Sequence, residues 1–203
     1  MTPMTELTRR TTGVRHGARS VQVVERVRAA VLAEMTRVGF AAITIDGVAR
    51  AAAVNRTTIY RRWPSKAALL EAVVEPLLAE HDRDPATGTL RGDLLVLLCR
   101  IRDSSARPEG RAIAAAAKAS ATELGDLMAS AVTRTLAPFH RAADHAAARG
   151  EIEDASRGRL AVFLAYSGVF MWEQTHGGPP GDDDCATLAD LALAGLGCAQ
   201  ESC

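Results

Sequence analysis

Aromatic side chains are scarce, at 4% of 203 residues, and nowhere do β-branched and polar residues alternate over the length of a strand. The apolar content, rich in alanine, leucine and valine, suits helices instead, so an all-α fold is expected. Long apolar runs are also missing. Each is interrupted before the roughly 20 residues that a membrane helix needs, so no membrane partner is expected. The amino terminus carries arginines but no apolar signal core, which leaves nothing to direct export and points to the cytoplasm.

Cys99, Cys185, Cys198 and Cys203 form no CxxC pair and no zinc-like spacing with histidine, so they read as reduced thiols, with a redox role near the carboxy terminus as the lesser alternative. His140 and Asp144 share a helix face with His145 nearby. No third convergent ligand accompanies them, and a solvated face is preferred to a metal site. No cofactor is implied. An enzyme would have to use Glu151, Asp144 or the histidines as acid and base, and no nucleophile with a base, phosphate loop or paired carboxylates supports one.

Net charge is absent overall but not locally. Residues 1–66 hold 12 Lys and Arg against 4 Asp and Glu, a net +8, which leaves −8 on the remainder. A basic front on an acidic body is the electrostatic footprint of a polyanion bound at one end. Three parts are expected: a flexible basic arm over 1–18, a helix-turn-helix domain over 19–66 and a helical ligand-binding and dimerisation domain over 67–203. Arg9, Arg10, Arg15, His16 and Arg19 precede the first predicted helix, where they either follow a minor groove or form a tail without fixed contacts.

The basic front holds the most informative stretch. Residues 44–66 read as two short helices joined by a tight turn and followed by a third helix start, an arrangement that holds a helix in the DNA major groove. Val48, Ala49, Ala52 and Val54 supply the clamp between helices. Thr44 and Asn55 stand where each helix needs a side-chain cap, and Thr44 is also placed to donate to a phosphate. The first turn after Asn55 is the part that reaches base edges. Arg56 there suits a bidentate contact to guanine, while Thr57 or Thr58 can place a methyl on thymine or a hydroxyl on a base edge. Arg61 and Arg62 extend the cationic face. Tyr60 and Lys66 are assigned to phosphates, Lys66 because it follows Ser65 at a helix start where a cation and unpaired amides converge.

The segments Thr36-Arg37-Val38-Gly39-Phe40, Thr44-Ile45, Val48-Ala49-Arg50, Val54-Asn55-Arg56-Thr57-Thr58-Ile59-Tyr60 and Trp63-Pro64-Ser65-Lys66-Ala67-Ala68-Leu69-Leu70, in that order and spacing, resemble the amino-terminal domain of the TetR family of bacterial transcriptional regulators. The resemblance implies that Thr44, Asn55, Arg56, Thr57, Tyr60, Arg61 and Lys66 fall where family members contact operator DNA. One departure bears on stability. The family's turn usually carries glycine where this chain has Ala53, and a left-handed residue there costs a side chain roughly 1 kcal/mol.

Hydrophobic spacing predicts helices over 20–38, 45–52, 56–62, 66–81, 89–104, 108–120, 122–149, 155–175 and 183–200. Pro76 is expected to bend or break the fourth around Glu75, and Pro138 marks a point where the seventh can divide. Helix 155–175 shows two stripes. The small one, Ala161, Ala165, Gly168 and Trp172, is assigned to subunit pairing together with Leu188, Leu191, Leu193 and Leu196. The bulky one, Phe163, Tyr166, Phe170 and Gln174, is assigned inward toward Met128, Leu136 and Phe139, as the lining of a ligand cavity or as plain core. Ala148-Arg149-Gly150-Glu151-Ile152 and the closing helix, Gly-Pro loop, helix order also resemble a common body type of the family. The expectation is therefore a homodimeric repressor on a palindromic operator in double-stranded DNA, released by a largely apolar small molecule. A DNA-binding regulator without a ligand, constitutive or activating, is the alternative.

Overall fold

The computed structural model describes residues 12–119 and 121–196, and side chains from Ser20 onward except at a few positions near residue 120 and at residue 174. Among the described residues there are nine α-helices, one 3-10 turn and no strands. The chain divides into two compact units between Ala72 and Val73, six residues beyond the boundary expected at 66.

The first unit holds α1 (Thr12–Val38), the 3-10 turn Phe40–Ala42, α2 (Ile45–Ala51), α3 (Arg56–Arg62) and the start of α4 (Lys66–His81). Val27, Val31 and Met35 line one stripe of α1 at helical spacing and are buried with Phe40, Ile43, Val48, Ile59 and Trp63. Gly39, at φ 75, ends α1 in a conformation that side chains avoid. The first helix begins eight residues earlier than expected. No proline interrupts 12–38, so the helix continues back through Arg15, His16 and Arg19, and residues 12–18 do not form a separate arm. Arg9 and Arg10 lie outside the described residues.

The second unit is built around α5 (Leu90–Ala106), which packs against α6 (Pro108–Ala119), α7 (Ala121–Ala148), α8 (Ala155–His176) and α9 (Asp182–Ala194). Leu90, Leu94, Leu97, Leu98 and Ile101 of α5 meet Phe139, Ala142, Ala143 and Ala146 of α7, Val162 and Val169 of α8, and Ala189 of α9. Alanine on the outer helices lets them approach the leucine-rich centre closely, which is how a chain with few aromatics fills its core. The ends are capped as the local chemistry dictates. Thr89 accepts from the Gly92 amide, Asp154 from the Ser156 amide, and Gly177 closes α8 in the left-handed conformation.

Neither internal proline interrupts its helix. α4 continues through Pro76 and α7 through Pro138, so of the bend or break expected at the first the break does not occur, and the seventh helix does not divide. Proline's fixed φ is itself helical, so the loss is one hydrogen bond and a local clash, and packing outweighs it. Val73, Val74 and Leu78 are buried around Pro76, and Leu136 and Phe139 around Pro138.

Candidate nucleic-acid interface and body cavity

The two short helices begin on side-chain caps. Thr44 Oγ1 accepts from the Gly47 amide at 3.0 Å, and Asn55 Oδ1 accepts from the Thr57 amide at 2.8 Å. The Thr44 hydroxyl therefore keeps its own proton to donate elsewhere. Between the helices the chain reverses at Ala53, whose φ of 50 lies in the left-handed region. Gly47 inside α2 leaves room for the cap: a Cβ there would sit 3.1 Å from Thr44 Oγ1 and 3.3 Å from Glu34 Oε2.

Arg56, Thr57, Tyr60 and Arg61 lie exposed on α3, with Thr58 half-buried beside them. Arg56 is held in place: its Nε pairs with Asp46 at 2.9 Å, an Nη donates to the Tyr60 hydroxyl at 3.3 Å, and its guanidinium lies 5.1 Å from the Tyr60 ring centre. Arg62 turns away from this group and donates to Ser20 Oγ on α1 at 2.6 Å. Ser65 caps α4 as expected, accepting from the Ala68 amide, while Lys66 Nζ reaches back to the Ala41 carbonyl at 2.9 Å. One of the three ammonium protons of Lys66 thus ties α4 to the 3-10 turn, and two remain for an anion. Asp46 was absent from the sequence expectations. It lies ten residues before Arg56 on another helix, and no spacing rule pairs them.

The second unit holds a cavity of about 580 Å³, partly open to solvent, whose lining includes Val74, Leu78 and His81 of α4, Ile101 and Ser104 of α5, Met128 and Thr135 of α7, and Tyr166 and Phe170 of α8. Tyr166 joins two aromatic contacts, edge-on to Phe139 and stacked on Phe170, each at 5.7 Å between centroids. Burial pushes the Tyr166 hydroxyl up to about 12, so it stays protonated near neutrality. The charged lining residues Arg111, Lys118 and Glu173 are exposed.

Residues 84–192 match the family described as tetracyclin repressor-like, C-terminal domain, and residues 28–73 match bacterial regulatory proteins, tetR family. The chain belongs to the TetR family. An uncharacterized HTH-type transcriptional regulator of Mycobacterium tuberculosis is 43% identical over 65 residues, 30% of this chain and 32% of that protein. The chain thus matches about a third of the length of this curated relative. Two solved structures share the fold at low identity. Salmonella enterica GusR superposes with a TM-score of 0.67 at 20% identity, covering 87% of this chain and 96% of that one. The SmeT–triclosan complex gives 0.65 at 18%, covering 85% and 90%. This TetR-family chain is accordingly a DNA-binding transcription regulator, and among its described residues no helix is long and apolar enough to cross a membrane.

Several body assignments need correction. Ala161 and Ala165 are buried within the subunit, and a Cβ on Gly168 would come 2.9 Å from Leu188 Cδ2, so the small stripe of α8 is where α9 of the same chain packs. Trp172 is half-buried and stacks on His176 at 4.0 Å. Leu188, Leu193 and Leu196 pack on the core, leaving Leu191 as the exposed leucine of that set. Phe163 does not point inward. It is exposed with Leu160, Leu164 and Met171 on the opposite side of α8 from the core. Leu136 and Phe139 are core residues, and only Met128, Tyr166 and Phe170 of the expected group line the cavity. The carboxylates considered for acid-base work have structural partners: Asp144 takes two 2.9 Å bonds from Arg159, and Glu151 accepts from the Leu90 amide at 2.7 Å, capping α5.

Proposed function

We propose that this chain is a ligand-responsive repressor that binds a palindromic operator as a homodimer and leaves it when a small, largely apolar effector enters the body. The observation that carries this reading is the apolar cavity of about 580 Å³, within the range of sites that take drug-sized ligands, in the same chain as a helix-turn-helix. A structural relative, SmeT, is known as a complex with triclosan, which supports a small-molecule role for the same fold.

In this reading Arg56, Thr57 and Thr58 read base edges, and Thr44, Asn55, Tyr60, Arg61 and Lys66 hold the backbone. Asp46 orients Arg56 through Nε, and one terminal nitrogen, together with the second proton of the nitrogen bonded to Tyr60, remains for guanine. Two subunits pair through the apolar face of Leu160, Phe163, Leu164 and Met171 on α8 with Leu191 on α9. Leu160 and Leu164 are each 65% exposed and Leu191 is 69% exposed in the single chain, which is costly unless a second copy covers them. The two recognition helices then serve major grooves about 34 Å apart, one duplex turn. An effector that prefers the dimer with a different spacing withdraws both at once.

Selection of bound sequences from a random DNA pool tests the first half, with an inverted repeat as the expected product. A screen of small apolar compounds for release of that DNA tests the second. Enrichment of unrelated single half-sites, or release by none of the compounds that occupy the cavity, would overturn the corresponding half.

A further inference from the structure

Resting on the reading of the body cavity as an effector site, we infer that the effector is a neutral, ring-bearing molecule whose carbonyl oxygen accepts a hydrogen bond from the Tyr166 hydroxyl, with the Thr135 hydroxyl as a second donor. Two helix faces place these groups. Met128, Ala131, Val132 and Thr135 line the cavity from α7, and Tyr166, Phe170, Glu173 and Gly177 line it from α8, each set spaced so that it occupies one side of its helix. Both faces run from open to buried. Val132 is 40% and Phe170 50% exposed, whereas Thr135 and Tyr166, one turn away in each case, are 8% and 6% exposed. The two hydroxyl residues therefore stand at the inner end of the sides that face the cavity.

Among the described residues neither hydroxyl has a hydrogen-bond partner, and neither oxygen is sealed off as Nδ1 of His81 is. Other helical hydroxyls of the chain fold back on the carbonyl four residues earlier, Thr133 on Ala129 at 2.9 Å and Ser167 on Phe163 at 2.8 Å. Thr135 makes no such bond to Ala131, so its proton is free to be given to a ligand. Burial alone pushes the Tyr166 hydroxyl up to about 12, so it too keeps its proton and acts as a donor. Charge is selected against at this depth. Arg111 and Lys118 of the lining are exposed, and a carboxylate brought to Tyr166 would lose its water without gaining a cation. A carbonyl gives up less hydration and offers two lone pairs, one for each hydroxyl. Phe170, stacked on Tyr166 at 5.7 Å between centroids and half exposed, presents an aromatic surface to a ring beside that carbonyl.

The test uses the full chain and three matched probes, benzophenone, diphenylmethane and diphenylacetate, titrated by calorimetry. Tyr166→Phe removes the donor and keeps the ring, so the ratio of benzophenone to diphenylmethane affinity is expected to fall roughly tenfold from the native protein to the variant, the size of one hydrogen bond. Thr135→Val should lower the same ratio by less, and an unchanged ratio there would remove the second donor. The infrared carbonyl stretch of labelled benzophenone serves even if a variant fails to fold: bound to the native protein it should lie below its position in an apolar solvent. Equal ratios in the native protein and Tyr166→Phe, or a stretch at the apolar-solvent position, would overturn the donor role while leaving the cavity as an effector site. Tighter binding of diphenylacetate than of benzophenone would overturn the neutral class in favour of an anion held at the mouth. Failure of all three probes to bind the native protein would overturn the inference and count against the cavity reading as well.

Discussion

At the scale of single residues, the turn between α2 and α3 shows a local conflict that the fold tolerates. Ala53 sits at φ 50, where a methyl side chain is strained and glycine is not. Ala53→Gly should stabilise the first unit by about 1 kcal/mol and raise its melting temperature without altering operator choice, measurable by thermal scans and gel shifts on operator variants. Arg56 and Lys66 should separate reading from anchoring. Arg56→Ala is expected to relax preference at one base position, whereas Lys66→Ala weakens all sites alike, a division that a gel-shift series over single-base variants reveals. His81 makes stability depend on pH. Burial is the main cause that depresses its folded value below 6.5; Glu80 opposes it, the Arg100 and Arg107 charges add to it, and a backbone hydrogen bond with Arg100 also opposes it. The unfolded chain then binds the proton more readily, so the contribution is fully present above about pH 6.5 and is lost as pH falls toward the folded value. His81→Gln should flatten that part of the melting temperature against pH curve, and an unchanged slope would assign it to other groups.

At the scale of elements, close approach decides more than helix propensity does. A Cβ on Gly110 of α6 would collide with the Ser104 backbone carbonyl at the end of α5, and backbone cannot swing aside as a side chain can. Gly110→Ala should therefore cost about 1–3 kcal/mol, despite the better helix propensity of alanine, as read from denaturant unfolding. On α8 the two stripes were legible as periodicities, but which one faced inward was not. A helix of small residues fits a neighbour of the same chain as well as a partner's helix, and only the Gly168–Leu188 approach distinguishes them. The outward face yields its own expectation. Charges at Leu160 and Leu164 (L160E with L164E) should shift sedimentation toward single subunits and abolish operator binding, with helical content retained.

At the scale of the whole molecule, the uneven charge governs how DNA is found and held. The +8 of residues 1–66 sits on a body carrying −8, so only one end of the chain attracts a polyanion. If a dimer neutralises roughly eight phosphates, the logarithm of affinity should fall with the logarithm of salt at a slope near −7. A flat response measured by fluorescence anisotropy would remove the phosphate roles from Tyr60 and Lys66.

The sequence by itself determined the helical class, both caps of the recognition motif and the helix boundaries to within two residues, apart from the start of α1 and the end of α9, expected at 200 and found at Ala194. These features follow from spacing, caps and breakers within a few residues of one another. The tertiary structure alone decided the Asp46–Arg56 pair, the Lys66–Ala41 tie, the enclosure of His81 with Ser104, and the facing of α8. Each joins groups that are distant in the chain or on separate helices, and packing, which no local pattern encodes, sets which of several compatible faces meet.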